Sequence, residues 1–295
     1  MSKVDLTGLG VALVTPFKSD ESVDYEALEQ LLDFQISNGT DYIVALGTTA
    51  ETPTLTDDEQ KDIVRFIVDK VAGRLPVMVG VGGNCTASLI DKIKQMDFTG
   101  VSAILSVTPY YNKPTQEGLY QHYCKLSEVS PLPVVLYNVP GRTGVNMLAE
   151  TTLRLARDCE NIIAVKEASG DLKQIRAIIE DAPEGFHVIS GDDAITTDLI
   201  LSGGIGVISV FGNAFPKEMK WLVQSALESK STAAREKMER DFDQLFHLMF
   251  VEGNPSGVKA LLEMRGLLRN VVRLPLVTVS EITSSRIREE FNRFV

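Results

Sequence analysis

One stretch of the chain indicates how the rest folds: Ile162-Ile163-Ala164-Val165-Lys166-Glu167-Ala168-Ser169-Gly170-Asp171. Its unbroken apolar start is typical of a strand covered on both faces, as in a parallel sheet. Asp171, with Gln174 three residues later, predicts the start of a helix. A strand followed directly by a helix is one β/α unit. If such units close into a barrel, Lys166 lies at the end of its strand where barrel active sites are built.

Lys166 itself is open to two interpretations. A lysine at the end of a buried strand is costly unless it has a function, and an amine there suits attack on a carbonyl to form a Schiff base. The alternative is a side chain that extends from the strand end to an exposed carboxylate. The segment alone does not decide between the two.

Similar apolar runs recur along the chain, each followed by helical sequence. The strand candidates are Gly10–Phe17, Tyr42–Gly47, Pro76–Gly82, Ala103–Thr108, Pro133–Asn138, Ile162–Glu167, His187–Gly191 and Gly206–Val210. Helix starts are marked by a capping box from Thr56 to Glu59 and by Thr86. This pattern predicts the α/β class and a closed (β/α)8 TIM barrel. A doubly wound open sheet is the alternative, but residues 15–18 lack the glycine fingerprint that such sheets carry after the first strand.

After residue 230 the pattern becomes purely helical. We expect residues 1–230 to form the catalytic barrel and residues 231–295 a C-terminal helical region packed on it. Two helix candidates there are 256–270 and 280–293, and an earlier one has an apolar stripe comprising Ala234, Met238, Phe242, Leu245 and Met249. Such a stripe is typical of core or of a subunit interface rather than of a cofactor site.

Composition limits the classes of function. The 295 residues are 44% hydrophobic and 23% charged, as in ordinary globular proteins, and the net charge of −11 disfavours nucleic acid and anionic membranes as partners. Three widely spaced cysteines form no metal motif and fit a reducing compartment. The first five residues show no signal-peptide core, and no apolar run is long enough to span a bilayer. We therefore expect a cytoplasmic protein.

Polar side chains collect at the carboxyl ends of the predicted strands, which meet at one rim of a barrel. They are Thr48 and Thr49 after strand two, Tyr110 and Tyr111 after strand four, Tyr137 and Arg142 at strand five, Lys166 in strand six, and Asp192 after strand seven. His122 and His247 fall in helices, where packing or surface roles are expected. No cluster has metal-ligand spacing, so no metal is expected.

This set suits Schiff-base chemistry on a keto acid. A free lysine has a pKa near 10.4, so only about one in two thousand is neutral at pH 7, and burial would raise that fraction. Tyr137 can move protons within a hydrogen-bonded relay. Hydroxyls and backbone N–H groups at Thr48 and Thr49 suit a carboxylate, and Arg142 suits a second one.

Each of these residues also has a structural explanation. Tyr137 can pack at a strand end, the threonines can cap the next helix, and Arg142 can pair with a surface acid. Glu167 and Asp192 are expected to be solvated or structural acids. The functional interpretation is favoured because all of them fall at the same end of consecutive strands.

The motifs that carry these residues resemble the dihydrodipicolinate synthase family of class I pyruvate aldolases. They are Gly47-Thr48-Thr49-Ala50-Glu51, Val107-Thr108-Pro109-Tyr110-Tyr111-Asn112-Lys113-Pro114, Tyr137-Asn138-Val139-Pro140-Gly141-Arg142-Thr143-Gly144 and Val165-Lys166-Glu167. The resemblance runs from Gly8 to the C-terminal helices. It implies a lyase that condenses pyruvate with L-aspartate 4-semialdehyde, on the route to diaminopimelate and lysine, without metal or organic cofactor.

The resemblance also implies a role for each catalytic residue. Lys166 would form the imine with pyruvate, and Tyr137 would be the central proton donor and acceptor. Thr48 would link Tyr137 to Tyr111, which in this family reaches in from a neighbouring subunit. The family is usually a homotetramer built from two tight dimers.

Four further positions would bind substrate. Thr49, with Thr48, would hold the pyruvate carboxylate, and Arg142 would hold the carboxylate of the semialdehyde. Gly191 and Ile208 would line the site through their backbones. The alternative activity on the same fold is cleavage of N-acetylneuraminate or a 2-keto-3-deoxy sugar acid, against which Arg142 argues. A barrel without activity that serves as a binding subunit is the alternative from another class.

The chain departs from the family at two places. Most members have glycine at the position of Ala50, and a methyl group there would tighten the carboxylate loop. At the lysine-feedback site of regulated members, Asn84 and Tyr110 match, whereas three other positions have changed. They are Ser88 for a glutamate, and Asp57 and Gln60 for histidines. We predict weak or absent inhibition by lysine.

Overall fold

The computed structural model describes residues 4–230 and 232–294, and within them eight parallel strands close into a barrel in chain order. The strands are β1 Gly8–Ala12, β2 Tyr42–Ala45, β3 Val77–Gly80, β4 Ala103–Val107, β5 Val134–Asn138, β6 Ile162–Glu167, β7 His187–Ser190 and β8 Gly206–Ser209. Pairing of β1 with β8 completes the closure. The predicted (β/α)8 fold is confirmed. Residues 1–3, 231 and 295, which carry part of the predicted N-terminus and of the predicted domain limits, lie outside the described residues.

Helices cover the outside of the barrel and continue beyond it. They are α1 Tyr25–Ser37, α2 Asp57–Val71, α3 Thr86–Gln95, α4 Gln116–Val129, α5 Pro140–Thr143, α6 Ala149–Asp158, α7 Leu172–Asp181, α8 Thr196–Leu201, α9 Pro216–Leu227, α10 Thr232–Leu248, α11 Ser256–Met264 and α12 Glu281–Phe291. The predicted helix starts are confirmed. Thr56 and Glu59 form a reciprocal capping box, and the Asp171 carboxylate accepts from the N–H groups of Lys173 and Gln174. No helix in the described ranges has the length and apolarity needed to cross a membrane.

Strand boundaries match the prediction well except at β1. The predicted Gly10–Phe17 begins too late and extends too far, since the strand is Gly8–Ala12. The residues after Ala12 stay buried, but hydrogen bonds that involve side chains hold them in place of a strand ladder. Val14 N–H donates to Asn213 Oδ1 at 3.2 Å, and the Thr15 hydroxyl donates to the Ala50 carbonyl at 2.7 Å. Apolarity alone does not distinguish this buried loop from a strand.

The C-terminal helices pack on the barrel as expected, and part of the predicted stripe is core. Phe242 in α10 contacts the rings of Phe211 and Phe215, so the predicted stripe is core there. At the start of the stripe, however, Ala234 is exposed and the neighbouring Arg235 is buried. The Arg235 guanidinium donates to the backbone carbonyls of Ser225 in α9 and Lys230 in the turn after it. Ala234 is therefore not part of the core of this chain, where an arginine with a long apolar stem takes its place. The other predicted place of Ala234, a subunit interface, stays a prediction.

Candidate active site

A cavity of about 580 Å³ opens at the carboxyl ends of the strands. Six residues predicted from sequence line it: Thr48, Thr49, Tyr137, Arg142, Lys166 and Gly191. Tyr111 and Ile208 are not among its lining residues. Ile208 lies buried in β8, and Tyr111 lies in the loop between β4 and α4. The predicted site residues are thus brought together, except for these two.

Lys166 lies at the bottom of this cavity and is only 5% exposed. In the parallel ladder it pairs with Tyr137, and its Nζ atom lies 4.2 Å from the centre of the Tyr137 ring. The structure records no ion pair for Lys166 within residues 4–230 and 232–294. The interpretation as a lysine that extends to a surface carboxylate is therefore not supported.

Gly191 provides the space for the lysine. A Cβ atom at this position would lie 2.9 Å from Lys166 Cε and 2.8 Å from Ala168 Cβ, closer than such carbons approach. Any larger residue would displace the lysine stem. Gly191 therefore contributes to the site because its lack of a side chain leaves room for Lys166.

Glu167, next to the lysine, points to the other side of the strand and is fully buried. Its carboxylate accepts from Asn138 Nδ2 at 2.8 Å, Ser169 Oγ at 2.6 Å and Gln174 Nε2 at 3.2 Å. Burial raises the pKa of Glu167, and these hydrogen bonds oppose that shift. Glu167 is a structural acid that anchors the end of β6, as expected.

The loop after β2 forms one wall of the cavity. Thr48–Ala50 is a short 3₁₀ helix, in which Thr49 and Ala50 are buried. Thr49 Oγ1 accepts from Asn254 Nδ2 at 2.9 Å, and the Ala50 carbonyl accepts from Thr15. The Thr49 hydroxyl and the backbone at Ala50 are therefore held in place. Thr48 and Thr49 line the cavity together with Lys166, so their hydroxyls and N–H groups can bind an anion there.

Tyr111 is placed very differently. Its side chain is 83% exposed, and its φ of 77° lies in the left-handed region that a bulky residue seldom adopts. Lys113 in the same loop has a φ of 48°. A relay from Tyr137 through Thr48 to Tyr111 is not assembled within this one chain.

The family model for the dihydrodipicolinate synthetase family matches residues 5–293. The chain belongs to this family. It is 57% identical to the 4-hydroxy-tetrahydrodipicolinate synthase of Parabacteroides distasonis, over 98% of the chain and 97% of that relative.

Solved structures from the family have the same fold. Dihydrodipicolinate synthase from Thermotoga maritima superposes with a TM-score of 0.94 at 43% identity, covering 97% of this chain and 98% of that one. The chloride-inhibited enzyme of Acinetobacter baumannii, complexed with pyruvate, gives 0.93 at 40% identity and 98% coverage of both. At these identities the likeness extends to the sequence as well as to the fold.

Sequence reasoning missed several members of the site. The mouth of the cavity is formed by α10 and the segment after it, through Asp243, Phe246, His247, Phe250, Val251 and Asn254. The amphipathic pattern of α10 predicts a packed helix and gives no sign that its end covers the barrel. Asn254 precedes a proline and has the signature of a turn.

Asp193 is a further residue that was missed. It is buried, and its Oδ2 atom accepts from the N–H groups of Val210 at 3.0 Å and Phe211 at 2.9 Å, which ties the end of β7 to the end of β8. Its Oδ1 atom is buried without a partner in the described chain. Burial raises the pKa of Asp193 to about 6, against opposing hydrogen bonds. The doublet Asp192-Asp193 in the sequence gave no indication of which acid is buried.

Proposed function

We propose that this chain is a 4-hydroxy-tetrahydrodipicolinate synthase, which condenses pyruvate with L-aspartate 4-semialdehyde through a Schiff base on Lys166. The observation that carries the proposal is the buried Lys166 amine beside Tyr137 in the cavity at the carboxyl end of the barrel. Membership of the family supports this chemistry over cleavage of sugar acids, since the relatives named above carry the synthase name.

The lysine acts first. The neutral Nζ of Lys166 attacks C2 of pyruvate, and the carbinolamine oxygen leaves as water once it is protonated. Tyr137 supplies that proton and regains one later, because its ring lies beside the Lys166 amine and a phenol can both donate and accept a proton. Loss of a proton from C3 then gives the enamine, which attacks the aldehyde carbon of the second substrate. The substrate's own amine closes the ring and releases Lys166.

Two carboxylates must be held during these steps. The hydroxyls and N–H groups at Thr48 and Thr49 bind that of pyruvate. Arg142 lines the main cavity and also a second one of about 280 Å³ beside it, which Thr48 and Tyr137 share. A guanidinium there binds the carboxylate of the semialdehyde with two parallel hydrogen bonds.

The exposure of Tyr111 supports a proposal about the assembly. We propose that Tyr111 completes the proton relay of a neighbouring subunit, in a homotetramer built from two tight dimers. The reaction belongs to the biosynthesis of diaminopimelate and lysine and requires no metal or organic cofactor. We expect the enzyme in the cytoplasm, where its three free cysteines stay reduced.

Lysine inhibition is proposed to be weak or absent. Asp57, Gln60 and Ser88 line a cavity of about 400 Å³, which Asn84 and Tyr110 do not line. The side chain of Gln60 is engaged by Lys92, whose Nζ donates to its Oε1 atom at 2.5 Å. Ser88 carries no charge that could grip a lysine ammonium, and Lys92 adds a like charge to the same cavity. Submillimolar inhibition by L-lysine in a steady-state assay would contradict this.

Borohydride trapping tests the reaction class. Treatment with pyruvate and borohydride should leave a reduced pyruvate adduct on Lys166, found by peptide mass mapping, and Lys166→Ala should abolish it. An adduct on another lysine, or none, would overturn the proposed mechanism.

The choice of second substrate has its own test. Arg142→Ala should lower kcat/KM for the semialdehyde at least about tenfold, because a charge-assisted hydrogen-bond pair is lost. Trapping of pyruvate on Lys166 should change little. Equal losses in both measurements would show that Arg142 does not act on the second carboxylate.

A further inference from the structure

The loop that binds the pyruvate carboxylate in the proposed function ends in a buried acid, Glu51. Its side chain is fully buried, and its backbone has a φ of 58°. The Oε1 atom accepts from Lys259 Nζ at 2.5 Å, and the Oε2 atom accepts from the backbone N–H of Arg273 at 2.9 Å. Lys259 lies in α11 and Arg273 in the segment after it. The C-terminal region therefore grips the end of the loop.

Lys259 is as deeply buried as its partner. It also donates to the Val271 carbonyl at 2.8 Å and lies 4.2 Å from the centre of the Phe17 ring. Burial lowers the pKa of Lys259 to about 8, and the Glu51 carboxylate opposes that shift. A buried ion pair gives little net stability, since the cost of removing two charges from water offsets their attraction. Stability alone therefore does not explain this ion pair, whereas its well-defined geometry suits a role in holding the loop in place.

A second contact from the same region reaches the middle of the loop. Asn254, just before α11, donates from Nδ2 to Thr49 Oγ1 at 2.9 Å. This bond occupies the oxygen of the threonine as an acceptor, and no acceptor is recorded within the described residues for its own O–H. The hydroxyl proton is therefore free to be donated into the cavity, which is the direction a substrate carboxylate requires.

We propose that Asn254 and the Glu51–Lys259 ion pair position the keto-acid carboxylate clamp, so that the C-terminal helical region determines the affinity for the first substrate. The inference rests on the proposed function and adds positioning residues to it. Asn254 sets the direction of the Thr49 hydroxyl. The ion pair fixes the end of the same loop. None of these three residues takes part in bond making.

The experiment compares three variants of the full-length enzyme: Asn254→Ala, Glu51→Gln and Lys259→Met. Each should raise the KM for pyruvate about tenfold or more, because small displacements of a positioning group weaken binding strongly. The change in kcat should stay within about threefold, and the KM for the semialdehyde should rise less than the KM for pyruvate, because Thr49, the residue that Asn254 contacts, lines the main cavity and not the second one. Lys259→Arg, which keeps the charge, should restore part of the affinity.

A matched control lies at the opposite end of the barrel. The Asp41–Lys220 pair, at 2.6 Å, joins the start of β2 to α9. Asp41→Asn should lower the melting temperature without raising the KM for pyruvate. Asn254→Ala leaves no unpaired buried charge, so it keeps the test decisive if either ion-pair variant fails to fold.

Two results would count against the inference, and they are distinguishable. If unaltered enzyme forms the pyruvate adduct on Lys166 but the variants lower only the melting temperature, as the control does, the residues are structural and the inference is wrong. If unaltered enzyme forms no adduct, the proposed function fails, and this inference fails with it.

Discussion

Two loops on the same rim of the barrel are built in opposite ways. The loop after β2, residues 47–51, is held by Thr15, Asn254 and the buried Lys259, all within one chain. The loop after β4, residues 110–113, has two exposed tyrosines and two positive φ values. One loop is complete in a single chain. The other presents aromatic surface that a single chain leaves uncovered.

The first loop is ordered by buried contacts within the chain, whereas the tyrosines of the second loop are exposed. A loop that binds a small anion binds it better when the loop is already rigid, because the hydrogen-bond donors then need no rearrangement when substrate arrives. An exposed tyrosine with a strained backbone has no such support, and strain of this kind persists where function or a partner requires it. The comparison predicts that damage to the first loop weakens binding, whereas damage to the second slows chemistry and depends on assembly.

The largest effect is expected for Tyr111→Phe. Removal of the relay hydroxyl should lower kcat about a hundredfold, because general acid–base groups contribute on this scale. The KM for pyruvate should change less than about twofold, since the first loop is untouched. Steady-state kinetics with both substrates, together with sedimentation to confirm an unchanged assembly, make the measurement.

Tyr120→Phe is the matched control for this variant. Its hydroxyl donates to Asp158 on the outer helices, away from the cavity. It should keep the kcat of the unaltered enzyme. If the Tyr111→Phe enzyme kept the kcat of the unaltered enzyme, the loop after β4 would have no role in catalysis, and the predicted difference between the two loops would be wrong.

Residues close in sequence were predictable, and residues far apart were not. The apolar run of residues 162–165 predicted both a strand and the place of Lys166, because period and burial are local properties. Asn254 and Thr49 are 205 positions apart, and Lys259 and Glu51 are 208 apart. Nothing local in a helix such as α11 shows which loop it will meet. Tyr111 is exposed, and the role proposed for it depends on a neighbouring subunit.

A third loop, after β7, extends the comparison to stability. The pKa of Asp193 is raised to about 6, from an ordinary 3.8, chiefly by burial. Between about pH 4 and 6 the folded protein therefore holds a proton that the unfolded chain has lost, so this carboxyl's contribution to stability is largest below pH 4 and is lost as the pH rises to 6. Asp193→Asn lacks this dependence.

The measurement is denaturant unfolding of the unaltered protein and of Asp193→Asn from pH 4 to 7. The stability of the unaltered protein relative to the variant should fall by up to about 3 kcal/mol as the pH rises through this range. The contributions of the other acids to the pH dependence are the same in both proteins and cancel in the difference between their free energies of unfolding. A difference that stays constant, or that grows with pH, would show that the carboxyl is ionised throughout and that its backbone contacts outweigh its burial.

The smallest effect is expected for Ala50→Gly, which tests how firmly the first loop is fixed. Ala50 is 2% exposed and accepts the Thr15 hydrogen bond through its backbone, so the bond survives the change. Glycine adds freedom mainly to the unfolded chain and should cost about 1 kcal/mol of stability, and a looser loop should raise the KM for pyruvate about twofold. Thermal melts and steady-state kinetics measure the two effects.

Ala72→Gly is the matched control for Ala50→Gly, because it makes the same substitution away from the cavity. Ala72 ends α2 with a φ of 50°, where glycine is the favoured residue, so this control should be as stable as the unaltered protein or more so, with the same KM for pyruvate. If Ala50→Gly loses stability but keeps its affinity, the methyl group supports only the fold. The fixation of the loop would then come from Thr15, Asn254 and Glu51, because none of their hydrogen bonds involves the methyl group.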